Sequence, residues 1–240
     1  MQANSHKPSM KANFVWTLAG NIIYAASQWG ILILITKLGT VEIVGKFALA
    51  LAVTAPVIIF SNLALRAVQA TDASHIYEFG NYLALRILTT LGAALTIAGI
   101  VIFMQYAWDT TLVILFIGLA KSVESISDVI YGNLQQHEQM DKISISMIIK
   151  SALSIIGVLA GLTLGKSLLW GVIGLAAAWF LVLIFYDLPI LRKMILPVVL
   201  SDLPGEKNTG VLPKWDLRKI YQLGRVTLPL GIATSLISLN

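Results

Sequence analysis

Long apolar stretches separated by short polar segments run along almost the whole chain. Six of them cover 14–36, 47–65, 83–105, 112–135, 143–165 and 168–190, and a shorter one covers 226–240. A helix of about 20 apolar residues crosses the ~30 Å hydrocarbon core of a bilayer. The pattern therefore predicts an all-α fold: a polytopic membrane bundle of six full transmembrane helices plus a partial seventh.

This pattern divides the chain into four regions. They are a cytoplasmic tail at 1–13, the six-helix bundle at 14–190, a cytoplasmic loop at 191–225 and a truncated seventh helix at 226–240. The end of the loop places Leu217, Ile220 and Leu223 on one helical side and Arg218 and Lys219 on the other, which fits an amphipathic helix on the membrane surface. An ordinary basic loop is the alternative. Because 226–240 is short for a crossing, we expect the chain to be the front part of a longer protein.

Composition supports a membrane protein. Hydrophobic residues make up 57% of the chain, charged residues only 12%, and the mean hydropathy is +0.82, whereas a soluble domain carries about 25% charged residues. The net charge of +5 could suggest a nucleic-acid partner. Basic loops facing the cytoplasm explain it better, so we expect no nucleic acid as a partner.

The basic residues predict the orientation of the bundle. With a cytoplasmic N-terminus, 12 Lys and Arg residues fall in inner segments and 3 in outer loops. The inner set is Lys7, Lys11, Arg66, Arg86, Lys142, Arg192, Lys193, Lys207, Lys214, Arg218, Lys219 and Arg225, and the outer set is Lys37, Lys46 and Lys166. The positive-inside rule then predicts a multi-pass membrane protein with its N-terminus in the cytoplasm.

The fourth apolar stretch carries three charges, Lys121, Glu124 and Asp128. On a helix they share an arc of about 80° with Tyr131 and Gln135. Each charge in mid-membrane costs about 2.5–3.5 kcal/mol, so this stripe must face protein or water and not lipid. Lys121 and Glu124 stand at i,i+3 and can pair within the helix.

The next stretch supplies a further cation, Lys150. If the fourth and fifth helices form a hairpin that turns near Gln139, Asp128 and Lys150 are equally far from the turn, and we predict that they approach each other. The pair would act as a closed ionic lock, as one wall of a wet cavity, or as both. The spacing of Gly157, Gly161 and Gly165 indicates close helix packing.

Other polar residues lie inside the first three stretches. The first carries Asn21 and Gln28 on one helical face, and the second carries Asn62 near its end. These amides either bond across helices or line a cavity. Arg66 and Arg86 lie near predicted cytoplasmic ends, where they either extend to the interface or bind an anionic head group. We therefore predict a substrate pathway formed by Arg66, Arg86, Lys121, Glu124, Asp128, Lys150, Asn21, Gln28 and Asn62.

Two segments resemble a known family. They are residues 13–72, which begin NFVWTLAGNIIYAASQWG, and residues 115–150, LFIGLAKSVESISDVIYGNLQQHEQMDKISISMIIK. Both are similar to Wzx-type polysaccharide biosynthesis proteins, the O-antigen flippases of the MATE-like MOP superfamily. The resemblance implies 12–14 helices in two halves around a central cavity, of which this chain covers the first half.

The resemblance also implies a function and its partners. It implies that an oligosaccharide linked to undecaprenyl diphosphate is moved between the leaflets of the bacterial inner membrane. It also implies membrane lipid and a C-terminal half as partners. A drug or cation antiporter using Glu124 and Asp128 is the nearest alternative, and a membrane scaffold is another. We expect no enzyme, because the loops show no D-x-D pair. No phosphate-binding G-x-x-x-x-G-K-[ST] motif or clustered histidines indicate a cofactor or metal, so neither is expected.

Overall fold

The computed structural model describes residues 9–201 and 212–238, and all of its regular elements there are helices. They are α1 (Met10–Leu38), α2 (Val41–Asn62), α3 (Leu65–Thr71), α4 (Phe79–Met104), α5 (Trp108–Gln136), α6 (Met140–Thr163), α7 (Leu168–Val182), a π-helical turn (Leu183–Asp187), α8 (Leu188–Ser201) and α9 (Leu217–Ser238). The all-α fold is confirmed. Residues 1–8, 202–211 and 239–240 of the predicted tail, loop and seventh helix lie outside the described residues.

Five stretches are helical, long and apolar enough to cross a membrane, within the described residues. They are Met10–Leu38, Val41–Thr71, Phe79–Met104, Met140–Thr163 and Leu168–Met194. The chain is thus a multi-pass membrane protein. The predicted fourth crossing corresponds to α5, which has 29 residues but is not one of these five stretches. The count of six crossings plus a partial seventh therefore stays a prediction.

The α5 helix lies at the centre of the bundle and packs against α2, α3, α4 and α7. It contributes buried residues from nearly every turn, among them Val113, Ile117, Val129 and Leu134. The α1 helix, by contrast, packs along α6 and leaves large apolar side chains such as Phe14, Ile22 and Ile33 exposed. Exposed apolar side chains are what a lipid-facing helix presents.

The predicted second crossing at 47–65 is interrupted. The α2 helix continues through Pro56 and ends at Asn62, and Leu63 and Ala64 then adopt positive φ angles of 50° and 49°. Non-glycine residues pay a steric cost in this conformation, and such strain is concentrated at functional sites. The break starts the short helix α3 and turns Arg66 toward α5.

Glycines bring α6 and α7 into backbone contact, as the small-residue spacing predicts. A methyl group on Gly157 would lie 2.8 Å from the carbonyl carbon of Gly174, and Gly161 packs against Trp170 and Gly171. Small residues at such positions let membrane helices approach closely and gain dispersion energy. The close contact fixes α7 beside α6 and brings Asp187, at the end of the π-helical turn, near Lys150.

The loops form two faces. One has the short connections 39–40, 105–107 and 164–167, and we call it the short-loop face. The other, the Asp72 face, holds 72–78, 137–139 and 212–216. Contacts link this face: Gln136 Nε2, at the end of α5, donates to the Asp72 carbonyl at 2.7 Å, and Lys214 forms an ion pair with Glu78. The basic residues predicted certain segments to be cytoplasmic. The described parts of those segments all lie toward the Asp72 face.

Helix α9 crosses the predicted boundary between the loop and the seventh helix at 225/226. It buries Ile220, Leu223, Thr227 and Gly231 against α2 and α4. The side with Ile220 and Leu223 is the predicted apolar side of the amphipathic segment. Ile220 and Leu223 therefore pack on the bundle, whereas Leu217 of the same predicted side is exposed, as are Arg218 and Arg225.

Candidate functional site

The polar stripe of α5 faces the interior of the bundle. Its first group is built on Asp128, whose Oδ2 accepts from Arg86 Nη2 at 3.1 Å and whose Oδ1 lies 3.5 Å from Arg66 Nη1. Arg86 also donates to Asn62 Oδ1 at 2.6 Å, and Ser125 donates to the same oxygen at 2.9 Å. Helices α2, α3, α4 and α5 are thereby joined through one carboxylate and one amide.

The two arginines at Asp128 differ in exposure. The side chain of Arg86 is 0% exposed and that of Arg66 is 33% exposed. Arg66 donates through Nε to Gln135 Oε1 at 3.1 Å, and its guanidinium carbon lies 5.5 Å from the centre of the Tyr131 ring. Arg86 is therefore the structural partner of Asp128, whereas Arg66 presents its guanidinium to the space beside α5.

The second group lies nearer the middle of α5. Lys121 Nζ lies 2.9 Å from Glu124 Oε2, so the predicted i,i+3 pair is confirmed. The other oxygen of Glu124 accepts a hydrogen bond from the Tyr24 hydroxyl of α1. The Lys121 ammonium also lies 4.9 Å from the centre of the Trp179 ring of α7, a cation–π contact.

Asp128 and Lys150 border the same cavity, but the predicted pairing of the two is wrong. Lys150 Nζ instead lies 3.1 Å from Asp187 Oδ2, and both side chains are almost completely buried. Lys150 also donates to the Tyr131 hydroxyl at 2.8 Å. Equal distance from a helical turn fixes depth but not direction around the helix, and close packing of α6 on α7 places Asp187 beside the ammonium.

Further hydroxyl groups complete the hydrogen bonding of Asp187. Ser127 donates to Oδ2 at 2.7 Å, and Ser146 donates to Oδ1 at 2.5 Å. The sequence analysis did not select Asp187. It had one visible signal, because it is the single charged residue in the predicted crossing 168–190, and an ionisable residue within a span is by default a functional candidate.

Three cavities follow the polar side of α5. The polar cavity has a volume of about 350 Å³ and is lined by Asn21, Tyr24, Asn62, Arg66, Glu124, Ser125, Asp128, Tyr131, Met147 and Lys150. The α9 cavity, of about 390 Å³, shares Asn62, Arg66 and Asp128 with it and reaches Thr234. The apolar cavity, of about 250 Å³, lies toward the short-loop face among Gln28, Trp29, Leu32, Phe47, Leu51, Ile117, Lys121 and Trp179.

The structure brings together most of the predicted pathway residues. Asn21, Asn62, Arg66, Glu124, Asp128 and Lys150 line the polar cavity. Gln28 and Lys121 line the apolar cavity, and Arg86 is buried behind Asp128. The arrangement offers amides, a phenol and an exposed guanidinium to a polar ligand. Across the described part of the chain, no group of three or more His, Cys, Asp or Glu side chains forms a possible metal site.

Comparison with solved structures defines the class of fold. The chain superposes with a TM-score of 0.66 on the crystal structure of MATE in complex with MaD5, covering 94% of this chain and 53% of that one at 16% identity. A MOP superfamily transporter from Pyrococcus furiosus matches with a TM-score of 0.61, 16% identity and 52% of its length. The fold is therefore that of one half of a MATE-like transporter.

Sequence comparison gives a more specific similarity. The chain is 35% identical over 147 residues to the capsular polysaccharide biosynthesis protein CapF of Staphylococcus aureus; the match covers 61% of this chain and 36% of CapF. No family model matches. The chain thus spans about a third of this curated relative and half of the solved transporters. The predicted resemblance to a polysaccharide biosynthesis protein is confirmed by the match to CapF, and the predicted MATE-like fold is confirmed by the solved transporters.

Proposed function

We propose that this chain is one half of a membrane transporter for polysaccharide synthesis, and that its cargo is an oligosaccharide linked to undecaprenyl diphosphate. The similarity to CapF supports the link to polysaccharide synthesis, and the MATE-like fold supports transport. In this proposal a second half, from the same or another chain, closes the other side of the cavity, and rocking of the halves moves the cargo between leaflets. The proposal assigns no chemical reaction to the chain.

The observation that carries the proposal is the position of Arg66. Its guanidinium borders both the polar cavity and the α9 cavity. Asp128 is already bound by the fully buried Arg86 at 3.1 Å, while its contact with Arg66 is 3.5 Å. A guanidinium can bind two oxygens of a phosphate side by side. Arg66 can therefore exchange a long contact with Asp128 for a diphosphate oxygen pair.

The rest of the polar cavity suits a sugar-bearing head group. Asn21, Asn62 and Tyr24 present amide and hydroxyl groups, which can exchange hydrogen bonds with sugar hydroxyls. A lipid-linked glycan needs such a passage only for its head, because its hydrocarbon tail can stay in the bilayer. The proposal includes the bacterial inner membrane and a cytoplasmic N-terminus, so that the Asp72 face would admit the cargo from inside.

The test is a set of arginine variants in the native gene. We expect Arg66→Gln to lower surface polysaccharide at least about tenfold, the value of a charged hydrogen bond, while lipid-linked glycan accumulates inside. Arg66→Lys should retain part of the activity, because an ammonium binds phosphate without the two-point fit. Arg225→Gln, which removes an exposed charge from α9, is the matched control. Normal export by Arg66→Gln at normal protein level would refute the proposed role.

An antiporter for drugs or cations is the second candidate, because Glu124 and Asp128 both line the polar cavity. Each carboxylate already has a cationic partner, Lys121 or Arg86, so a cargo cation would have to displace a lysine or an arginine. Efflux of an organic cation that depends on a proton or sodium gradient and disappears in Glu124→Gln would support the antiporter. Absence of such efflux together with polysaccharide export favours the glycan transporter.

A further inference from the structure

The boundary between the polar and apolar cavities is a thin layer of side chains. On α1, Asn21 and Tyr24 line the polar cavity and Gln28 lines the apolar cavity. On α5, Glu124 lines the polar cavity and Lys121 the apolar cavity. The boundary thus falls between adjacent helical turns, where the Tyr24 hydroxyl meets Glu124 and Glu124 meets Lys121.

We propose that Tyr24, Glu124 and Lys121 form a gate, and that opening it joins the two cavities into one passage along α5. The structure holds this gate closed. Lys121 and Glu124 remain 27% and 29% exposed although they lie near the middle of a 29-residue helix. Such exposure in mid-membrane is exposure to the cavities on either side. The proposal does not depend on which cargo the transporter carries.

The ion pair of the gate is more exposed than the ion pair between Lys150 and Asp187. Lys150 and Asp187 are 2% and 1% exposed, and two serines also donate to Asp187. The gate is closed across the helices by the Tyr24 hydroxyl, which belongs to α1, and α1 packs mainly along α6. A change in the Tyr24 rotamer would open the layer without unpacking a helix, because side chains move between staggered rotamers at low cost.

The apolar cavity also contains polar groups that could bind water or cargo after the gate opens. Gln28 Nε2 is buried and has no hydrogen-bond partner within the described residues. The Lys121 ammonium rests on the face of Trp179. A buried donor without a partner is costly, and water or a cargo oxygen in the joined passage would satisfy it.

The chain is suited to a labelling test because it contains no cysteine. Met147→Cys places a thiol on the polar cavity, and Leu51→Cys places one on the apolar cavity. A small membrane-impermeant cationic thiol reagent is added from the short-loop face of vesicles. The vesicles contain the product of the native gene, with any cysteine outside these 240 residues replaced by serine. Labelling of Met147→Cys is expressed relative to labelling of Leu51→Cys in the same background.

With Tyr24 intact, we expect Leu51→Cys to be labelled and Met147→Cys to be protected. Adding Tyr24→Phe or Glu124→Gln should raise the Met147→Cys ratio at least about tenfold, because a hydrogen bond to a charged group holds the gate. Tyr186→Phe is the matched control: it removes a tyrosine hydroxyl that bonds to the Lys142 carbonyl, away from the gate.

Four results would overturn the gate, and three of them concern the gate variants and the two thiols. These three are an unchanged Met147→Cys ratio in both gate variants, a Leu51→Cys thiol that is not labelled from the short-loop face, and equal labelling of both thiols with Tyr24 intact. An equal rise in Tyr186→Phe would also overturn it, because general loosening would then explain the effect. Labelling needs no cargo, so it tests the gate separately from the proposed function. Either hypothesis can be refuted while the other stands.

Discussion

Lys150 Nζ lies 3.1 Å from Asp187 Oδ2 in the interior of the bundle, with the two side chains 2% and 1% exposed. The pair joins α6 to the π-helical turn after α7, and Tyr131 and two serines complete its hydrogen bonds. A π-helical turn inserts one residue into the helical repeat and is frequent at functional sites. Here it ends at Asp187 and sets the direction of that carboxylate.

The buried pair predicts a large stability effect when it is broken on one side. Asp187→Leu leaves a buried ammonium without its counter-ion, and such a change costs about 3–5 kcal/mol of folding free energy. The double variant Lys150→Met with Asp187→Leu should lie closer to the unchanged protein than either single variant, because an apolar pair pays no desolvation cost. Thermal unfolding in detergent measures both.

A surface pair provides the control for this prediction. Lys46 and Glu42 lie 2.8 Å apart at i,i+4, and the Glu42 side chain is 75% exposed. Glu42→Gln should leave the unfolding temperature unchanged, because exposed pairs contribute little. A double Lys150 and Asp187 variant less stable than both singles would contradict the account, since the pair would then be worth more than its desolvation.

The sequence predicted those features that depend on local spacing or on the cost of charge in a membrane. Lys121 and Glu124 pair because i,i+3 neighbours share a helical face. The α5 stripe faces inward because three charges cannot be exposed to lipid. The glycines of α6 meet α7 because small residues in this spacing permit close approach. Each of these inferences needs only one helix.

Features that depend on how helices are rotated against one another were not predictable. Lys150 was assigned to Asp128 from depth alone, and the packing of α6 on α7 gave it Asp187 instead. Arg86 was placed near a cytoplasmic helix end because the third crossing was predicted to start at 83. Helix α4 begins at Phe79, so Arg86 lies about two turns inside the helix and reaches Asp128.

Variants of the two arginines at Asp128 should differ in their effect on the free energy of folding, because Arg86 has a structural role and Arg66 a proposed functional role. Arg86→Met removes the 3.1 Å contact with Asp128 and the donor to Asn62, and we expect a loss of about 1–3 kcal/mol of folding free energy from the polar groups left without partners. Arg66→Gln should cost less than about 1 kcal/mol, because Arg66 is a third exposed. Thermal unfolding of both variants compares them directly.

The opposite order of these two effects would reverse the assignments. A larger stability loss in Arg66→Gln than in Arg86→Met would make Arg66 the structural partner of Asp128. The guanidinium of Arg66 would then not be available to an anionic head group, and the proposed function would lose the observation on which it depends.

The contact of α6 with α7 predicts a strong effect of a single methyl group. Gly161→Ala would place the methyl group against the backbone of Gly171, and overpacking of this kind costs about 1–3 kcal/mol. Gly99→Ala is the matched control, because a methyl group at Gly99 has no atom within 4 Å. Its stability should stay the same or rise slightly, since alanine favours a helix over glycine. Equal losses in the two variants would contradict close packing.

The predicted orientation can be tested with one thiol on each face. His75 lies on the Asp72 face and Lys166 in the short connection 164–167 of the other face, and both are exposed. We expect an impermeant thiol reagent outside intact cells to label Lys166→Cys but not His75→Cys, because the basic residues predict that the Asp72 face is cytoplasmic. Opening the cells should expose His75→Cys to the same reagent, which shows that its thiol is reactive. If only His75→Cys were labelled in intact cells, the bundle would have the opposite orientation. The polar and α9 cavities would then receive their cargo from the outside.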